Sequence, residues 1–138
     1  MTAAQFSIDI MRVAADAARD KKANNIVAVD VSERLGITDA FLIASADNER
    51  QVNAIVDGIE DVIAEKFDLH PVRREGRGEG RWVLLDYQDV VVHVQHDEDR
   101  VFYALDRLWS DCPLIDVSES TTTPASVSEE PAETPEAE

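Results

Sequence analysis

The chain is poor in what would tie it to a disulfide framework, a membrane or a polyanion. Its 138 residues include one cysteine, Cys112, which excludes an intrachain disulfide and a multi-cysteine zinc site. No apolar run approaches the roughly 18–20 residues of a membrane span. Met1-Thr2-Ala3-Ala4-Gln5 lacks the basic-then-apolar layout of a signal peptide, so a cytoplasmic protein is expected. Basic residues are scarce too: 13 Lys and Arg stand against 29 Asp and Glu, a formal charge of −16. A protein held to nucleic acid mainly through phosphates needs positive surface, so this balance points instead to a basic partner, most commonly a nucleic-acid-binding protein.

The acidity is not confined to one end. Residues 118–138 carry six Glu, three Pro and no Lys or Arg, with Val127 as the one sizeable apolar side chain. Such composition predicts a disordered acidic tail. Its six charges leave −10 on residues 1–117, which are expected to form one acidic folded domain.

Within that domain the apolar spacing alternates between helical and extended. Thr2-Ala3-Ala4-Gln5 fits a capping box, and Phe6, Ile10, Val13, Ala14, Ala17 and Ala18 predict a helix over about 3–23. Residues 26–31 and 40–45 read as strands, separated by a short capped turn that Gly36 closes; the two could pair either way. Asp47 or Asn48 caps a helix whose face is Val52, Ile55, Val56, Ile59, Val62, Ile63 and Phe67. An exposed strand begins at Pro71, and a flexible loop holds glycines 76, 78 and 80. Residues 81–86 and 89–94 form a hairpin, and a last helix runs 98–109 with Val101, Phe102, Leu105, Leu108 and Trp109 inward. The expected fold is α/β, a central mixed five-stranded sheet with helices packed on it.

Catalytic and metal patterns are weak. His93, His96, Asp97, Glu98 and Asp99 cluster, but in no strong ligand spacing, and negative charge at a helix N-terminus accounts for the three acids. Ser45 lacks the G-x-S-x-G elbow, and Cys112 has no neighbouring base. Gly76-Arg77-Gly78-Glu79-Gly80 precedes a strand, so it offers no helix N-terminus to a phosphate. No catalytic residue, metal or cofactor is expected. Arg73, Arg74, Arg77 and Arg81 form the one basic patch, which either touches RNA phosphate at the edge of a larger contact or pairs with Glu75 and Glu79. In the hairpin, Val83, Leu85, Val90, Val92 and Val94 suffice as core anchors. Trp82, Leu84 and Tyr87 beside Asp86 and Asp89 have the composition of a hot spot for a basic surface, and are equally compatible with a core Trp and a turn-stabilising Asp86.

Five blocks in register, Asp30 to Ser32, Thr38 to Ser45, Arg50 to Val52, Trp82 to His93 and Arg100 to Trp109, resemble the ribosomal silencing factor family, RsfS or Iojap. The likeness runs from about residue 4 to residue 116. Two departures stand out: Gln88 replaces a glycine at the hairpin turn, and Ser45-Ala46-Asp47-Asn48-Glu49 replaces a small glycine-containing stretch. The resemblance implies a nucleotidyltransferase-like fold without the active site. In keeping with that, the chain has no Gly-Ser pair, and Asp86 and Asp89 flank a turn instead of alternating along one strand. It further implies a non-enzymatic repressor that binds the large ribosomal subunit through its protein number fourteen and blocks joining of the small subunit when nutrients are scarce. The hairpin's composition and the resemblance together point to a contact through Trp82, Leu84, Asp86, Tyr87, Asp89 and Val90; Arg73, Arg74 and Arg77 are the candidates for a peripheral rRNA edge read from the basic patch, and a homodimer when free is a lesser option. The competing reading is a degenerate nucleotidyltransferase-like enzyme, which rests on fold analogy alone.

Overall fold

In the computed structural model, residues 3–118 are described; most of the predicted tail lies outside them. Eleven elements follow in order: α1 (Gln5–Asp20), β1 (Asn24–Asp30), α2 (Ser32–Leu35), β2 (Ala40–Ala46), α3 (Glu49–Phe67), β3 (Arg73–Glu75), β4 (Trp82–Asp86), β5 (Val90–His96), α4 (Asp97–Tyr103), α5 (Leu105–Leu108) and β6 (Leu114–Ile115). The strands form one mixed sheet of order β3-β4-β5-β2-β1-β6. β2 and β5 are parallel and central, buried along their whole length, and every other neighbouring pair is antiparallel.

The sheet has six strands where five were expected. The addition is β6, two residues after Pro113 that pair with Ala28 and Val29; a strand so short has no alternation to read. The two early strands pair antiparallel, with a bulge between Asn24 and Val27.

One sheet face is covered by α1 and α3. Ile10, Met11, Ala14, Ala15 and Ala18 of α1, and Val52, Ile55, Val56, Ile59 and Ile63 of α3, meet Leu42, Val83, Leu85, Val92 and Val94. Each fully buried aliphatic side chain of this kind contributes about 1.5–3 kcal/mol. The alanines on α1 let two helices lie side by side over one sheet. α1 begins at Ala4 with no side-chain cap of its own, and the expected box at Thr2 lies outside the described residues. Its free N–H groups are met from a distance: Asp39 accepts from the Ala4 N–H at 3.2 Å and the Ser7 hydroxyl at 2.8 Å, and Asp30 accepts from the Ala3 N–H at 2.9 Å. α3 starts as expected, with the Asn48 side chain accepting from the Gln51 N–H at 2.8 Å.

The other face is covered only in part. Val29, Val31, Phe41, Val91 and Cys112 form a smaller cluster beneath Trp109. The single helix expected here is broken: Ala104, at φ 51°, divides α4 from α5. Val101 and Leu108, predicted inward, are exposed. An αL break at alanine leaves no residue signature, and it takes Leu108, which follows it, out of the register a continuous helix would give.

Candidate functional site

The open part of the second face is β4 and the turn that follows it. Alternation puts Trp82, Leu84 and Asp86 on this face, each half-buried, and Val83 and Leu85 in the core. Two of the six predicted contact residues are placed elsewhere. Val90 is fully buried and Tyr87 is 9 % exposed, both in the core under α1 and α3. Tyr87 continues the parity of Val83 and Leu85, and Val90 that of Val92 and Val94, so their side chains point away from the open face. Burial pushes the Tyr87 phenol up well beyond its ordinary range.

The turn is tightly organised. The Tyr87 N–H donates to the Val90 carbonyl at 2.9 Å, and the Asp89 N–H donates to the Tyr87 carbonyl at 3.0 Å, a γ-turn centred on Gln88. Gln88 sits at φ 75°, the left-handed region that glycine enters freely. One Asp86 oxygen accepts from the Gln88 N–H at 2.8 Å, and its other oxygen lies 3.7 Å from Arg73. Asp86 therefore does stabilise the turn while keeping its second oxygen toward the surface.

A residue that sequence reasoning passed over completes the surface. The loop ahead of β2 is tied to the turn by the Asp39 N–H, which donates to the Asp89 carbonyl at 2.7 Å, and by the Thr38 hydroxyl, which donates to the Gln88 carbonyl at 3.3 Å. This holds Ile37, 86 % exposed, beside Asp86, Gln88 and Asp89 in a shallow hollow. The available signal was an isoleucine directly after helix-stopping Gly36, in a polar loop. Asp89 is exposed and has no ion pair among the described residues. The result is an apolar side chain next to two carboxylates, which suits the aliphatic stem and charged head of a lysine or arginine.

The basic patch is engaged within the chain. Arg73 pairs with Glu75 and Asp86, Arg74 with Glu60 through a fork of hydrogen bonds, and Arg77 with Asp57 at 2.6 Å. Arg81 bridges Glu49, Glu98 and Asp99. Glu75 is the partner that the sequence suggested; Asp86 comes from the neighbouring strand β4 and the others from α3 and α4, which adjacency in sequence does not reveal. Gly76 makes the tight turn possible: at φ 84°, an added Cβ would lie 2.0 Å from the Trp82 carbonyl oxygen.

The histidine and acid cluster is divided by the sheet. His93 points to the second face and His96 to the first, where its Nδ1 accepts from the Glu98 N–H and caps α4. Among the described residues no group of three or more His, Cys, Asp and Glu is placed to hold a metal ion. Ser45 is fully buried, accepting from Arg100 at 3.2 Å and donating to the Asn24 carbonyl at 3.4 Å. No helix among the described residues is long and apolar enough to cross a membrane.

The family model described as ribosomal silencing factor during starvation matches residues 4–138. The chain is 42 % identical to ribosomal silencing factor RsfS of Bacillus subtilis over 108 residues, which covers 78 % of this chain and 91 % of that one. A more distant match is the mouse protein named mitochondrial assembly of ribosomal large subunit protein 1, at 28 % identity over 78 % of this chain and 46 % of that one. A crystal structure from Chromobacterium violaceum superimposes with a TM-score of 0.70 at 32 % identity, covering 74 % of this chain and 84 % of that one. The half-open mixed sheet with its acidic, apolar-edged hairpin is thus the form taken here by a member of the ribosomal silencing factor family, to which this chain belongs.

Proposed function

We propose that this protein silences translation by steric exclusion. It binds the large ribosomal subunit through its protein number fourteen and leaves the small subunit no room to join. The observation that carries this reading is the juxtaposition of Trp82, Leu84 and Asp86 along β4 with Asp89 and Ile37 at its end. Family membership and the name of the mouse relative support a large-subunit partner. Trp82 and Leu84 fill apolar hollows of the partner, and Asp86 and Asp89 meet its lysine or arginine side chains. Tyr87 and Val90 serve from behind, holding the hairpin rigid.

Blocking by occupancy needs no catalytic group, and this reading makes the protein a non-enzyme that works in the cytoplasm, where subunits join. A typical interface buries roughly 1,600 Å² in total, within the reach of a domain of this size. Off the ribosome the same apolar edge is the surface for self-association. Contact of Arg73, Arg74 and Arg77 with rRNA would require phosphate to displace the carboxylates they already pair with, so we assign it at most a peripheral place.

The test is co-sedimentation with purified large subunits, followed by a subunit-joining assay in a sucrose gradient. The wild-type chain travels with the large subunit and lowers the yield of joined ribosomes. Asp86→Lys with Asp89→Lys abolishes both without unfolding the protein. Unchanged co-sedimentation of that double variant would overturn the assignment.

A further inference from the structure

The outward side of the helix layer carries a groove that the hairpin does not use. It lies between α1 and α3, encloses about 500 Å³, and has Val13, Ala17, Gly58 and Val62 along its floor. Its walls are two carboxylate rows with helical i, i+4 spacing, Asp16 and Asp20 on α1 and Asp61 and Glu65 on α3. Like charges at this spacing weaken each helix, so the rows do not serve stability. Arg19 offsets Asp16 at 2.6 Å, whereas Asp20, Asp61 and Glu65 are exposed and have no ion pair among the described residues.

The chain's own lysine shows what such a groove accepts. A Cβ added to Gly58 would lie 3.1 Å from both Cγ and Cε of Lys21, so the alkyl stem of Lys21 lies across the glycine. Lys66 lines the groove with it, and with Asp16 held by Arg19, three carboxylates face these two ammonium groups. An apolar floor beside carboxylates that exceed the local cations by one charge, on the α3 wall, matches the two halves of a lysine side chain, and it matches a helix that alternates lysine with small apolar residues. The groove also lies on the opposite side of the sheet from Trp82, Leu84 and Asp86, so both surfaces can be occupied together.

We infer that the α1–α3 groove is a second docking site, for a lysine-rich amphipathic segment of a basic protein. Apolar side chains of the segment meet Val13, Ala17 and Val62, and its ammonium groups meet Asp20, Asp61 and Glu65. The assignment does not depend on the hairpin reading. The probe is a fluorescein-labelled helical peptide of lysine, alanine and leucine, titrated into the full chain at physiological salt and followed by anisotropy. Binding is expected to be saturable and to weaken by about tenfold or more in Gly58→Leu, which fills the floor, and in Asp61→Lys with Glu65→Lys, which reverses one wall. Asp86→Lys with Asp89→Lys is expected to bind the peptide as wild type does, so failure of the hairpin reading and failure of this one are distinguishable. The neighbour of a Gly58 side chain is the flexible arm of Lys21, and Asp61 and Glu65 are exposed, so both groove variants fold; circular dichroism checks this. Wild-type affinity in folded Gly58→Leu would overturn the proposal, since it would reduce the binding to general attraction by an acidic surface. So would loss of binding in the hairpin variant.

Discussion

The indole N–H of Trp82 donates to Nδ1 of His93 at 3.2 Å, across the pair of strands that forms the hairpin. Nδ1 is thereby the acceptor and the imidazole proton sits on Nε2, which is buried and has no hydrogen-bond partner among the described residues. Phe41 packs edge-on to the same ring, with centroids 5.0 Å apart. Burial alone lowers the His93 pKa from 6.5 to about 4. Between those values the unfolded chain binds a proton that the folded chain refuses, so stability rises with pH in that window and falls as pH drops from 6.5 toward 4. The full difference is about 3 kcal/mol. Urea unfolding across pH 4–7 should give a wild-type curve steeper than that of His93→Gln; parallel curves would show that His93 titrates normally in the fold.

At Gln88 the left-handed φ of 75° is held by three hydrogen bonds around the turn. Glycine reaches this conformation with no steric penalty, and a non-glycine residue there stores about 1 kcal/mol or more of strain. Gln88→Gly should raise the unfolding free energy by about 0.5–1 kcal/mol, the net of relieved strain and the greater entropy of an unfolded glycine. A shift of the urea midpoint at constant slope is the measurement.

How much of this was legible in the residues depends on whether a feature leaves a periodic trace. The α3 stripe and the parity of β4 do, so Val52 to Ile63 and the division of Trp82, Leu84 and Asp86 from Val83 and Leu85 follow from spacing alone. Carried two residues further, the same parity puts Tyr87 inside, and the aromatic composition of the turn obscured this. The break at Ala104 leaves no trace, because alanine favours helix continuation and only tertiary packing imposes φ 51°. The partners of Arg74, Arg77 and Arg81 are equally invisible, being set by how α3 and α4 pack near the β3–β4 edge.

Ile37 offers a sharper test of the proposed contact than any hairpin residue. It is 86 % exposed and anchors nothing in the core, so Ile37→Asp should change stability by no more than about 0.5 kcal/mol. If the hollow beside Asp86 and Asp89 receives a basic side chain, loss of the apolar wall costs about 1–2 kcal/mol of binding, roughly a tenfold weakening. The acid added by this variant also raises local negative charge, so Ile37→Ser separates the two effects: both variants weaken binding if packing matters, and Ser alone leaves it intact if charge is all that counts. Titration against purified large subunits distinguishes them.

Arg100 joins the least regular part of the fold to its centre. Its guanidinium is 8 % exposed, holds Asp106 through two hydrogen bonds of 2.7 and 3.1 Å, and donates to Ser45 at 3.2 Å and to the Asn24 carbonyl at 3.4 Å. One side chain thus fastens α4 and α5 to the ends of β1 and β2, across the break at Ala104. Arg100→Met keeps much of the volume but leaves the buried Ser45 hydroxyl and the Asn24 carbonyl without that donor, at a cost of about 2–3 kcal/mol. Arg100→Lys should recover less than half, because one ammonium cannot reproduce the planar fork that spans both directions. Burial would raise the Asp106 pKa, but the hydrogen bonds and charge of Arg100 outweigh it and hold the carboxyl below its ordinary value. Its contribution is present above the unfolded carboxylate range and is lost as pH falls through the lowered pKa, so the acid limb of the stability curve should flatten in Arg100→Met. Hydrogen exchange should then show α4 and α5 opening without the sheet, whereas uniform loss of protection would mean that Arg100 supports the whole fold.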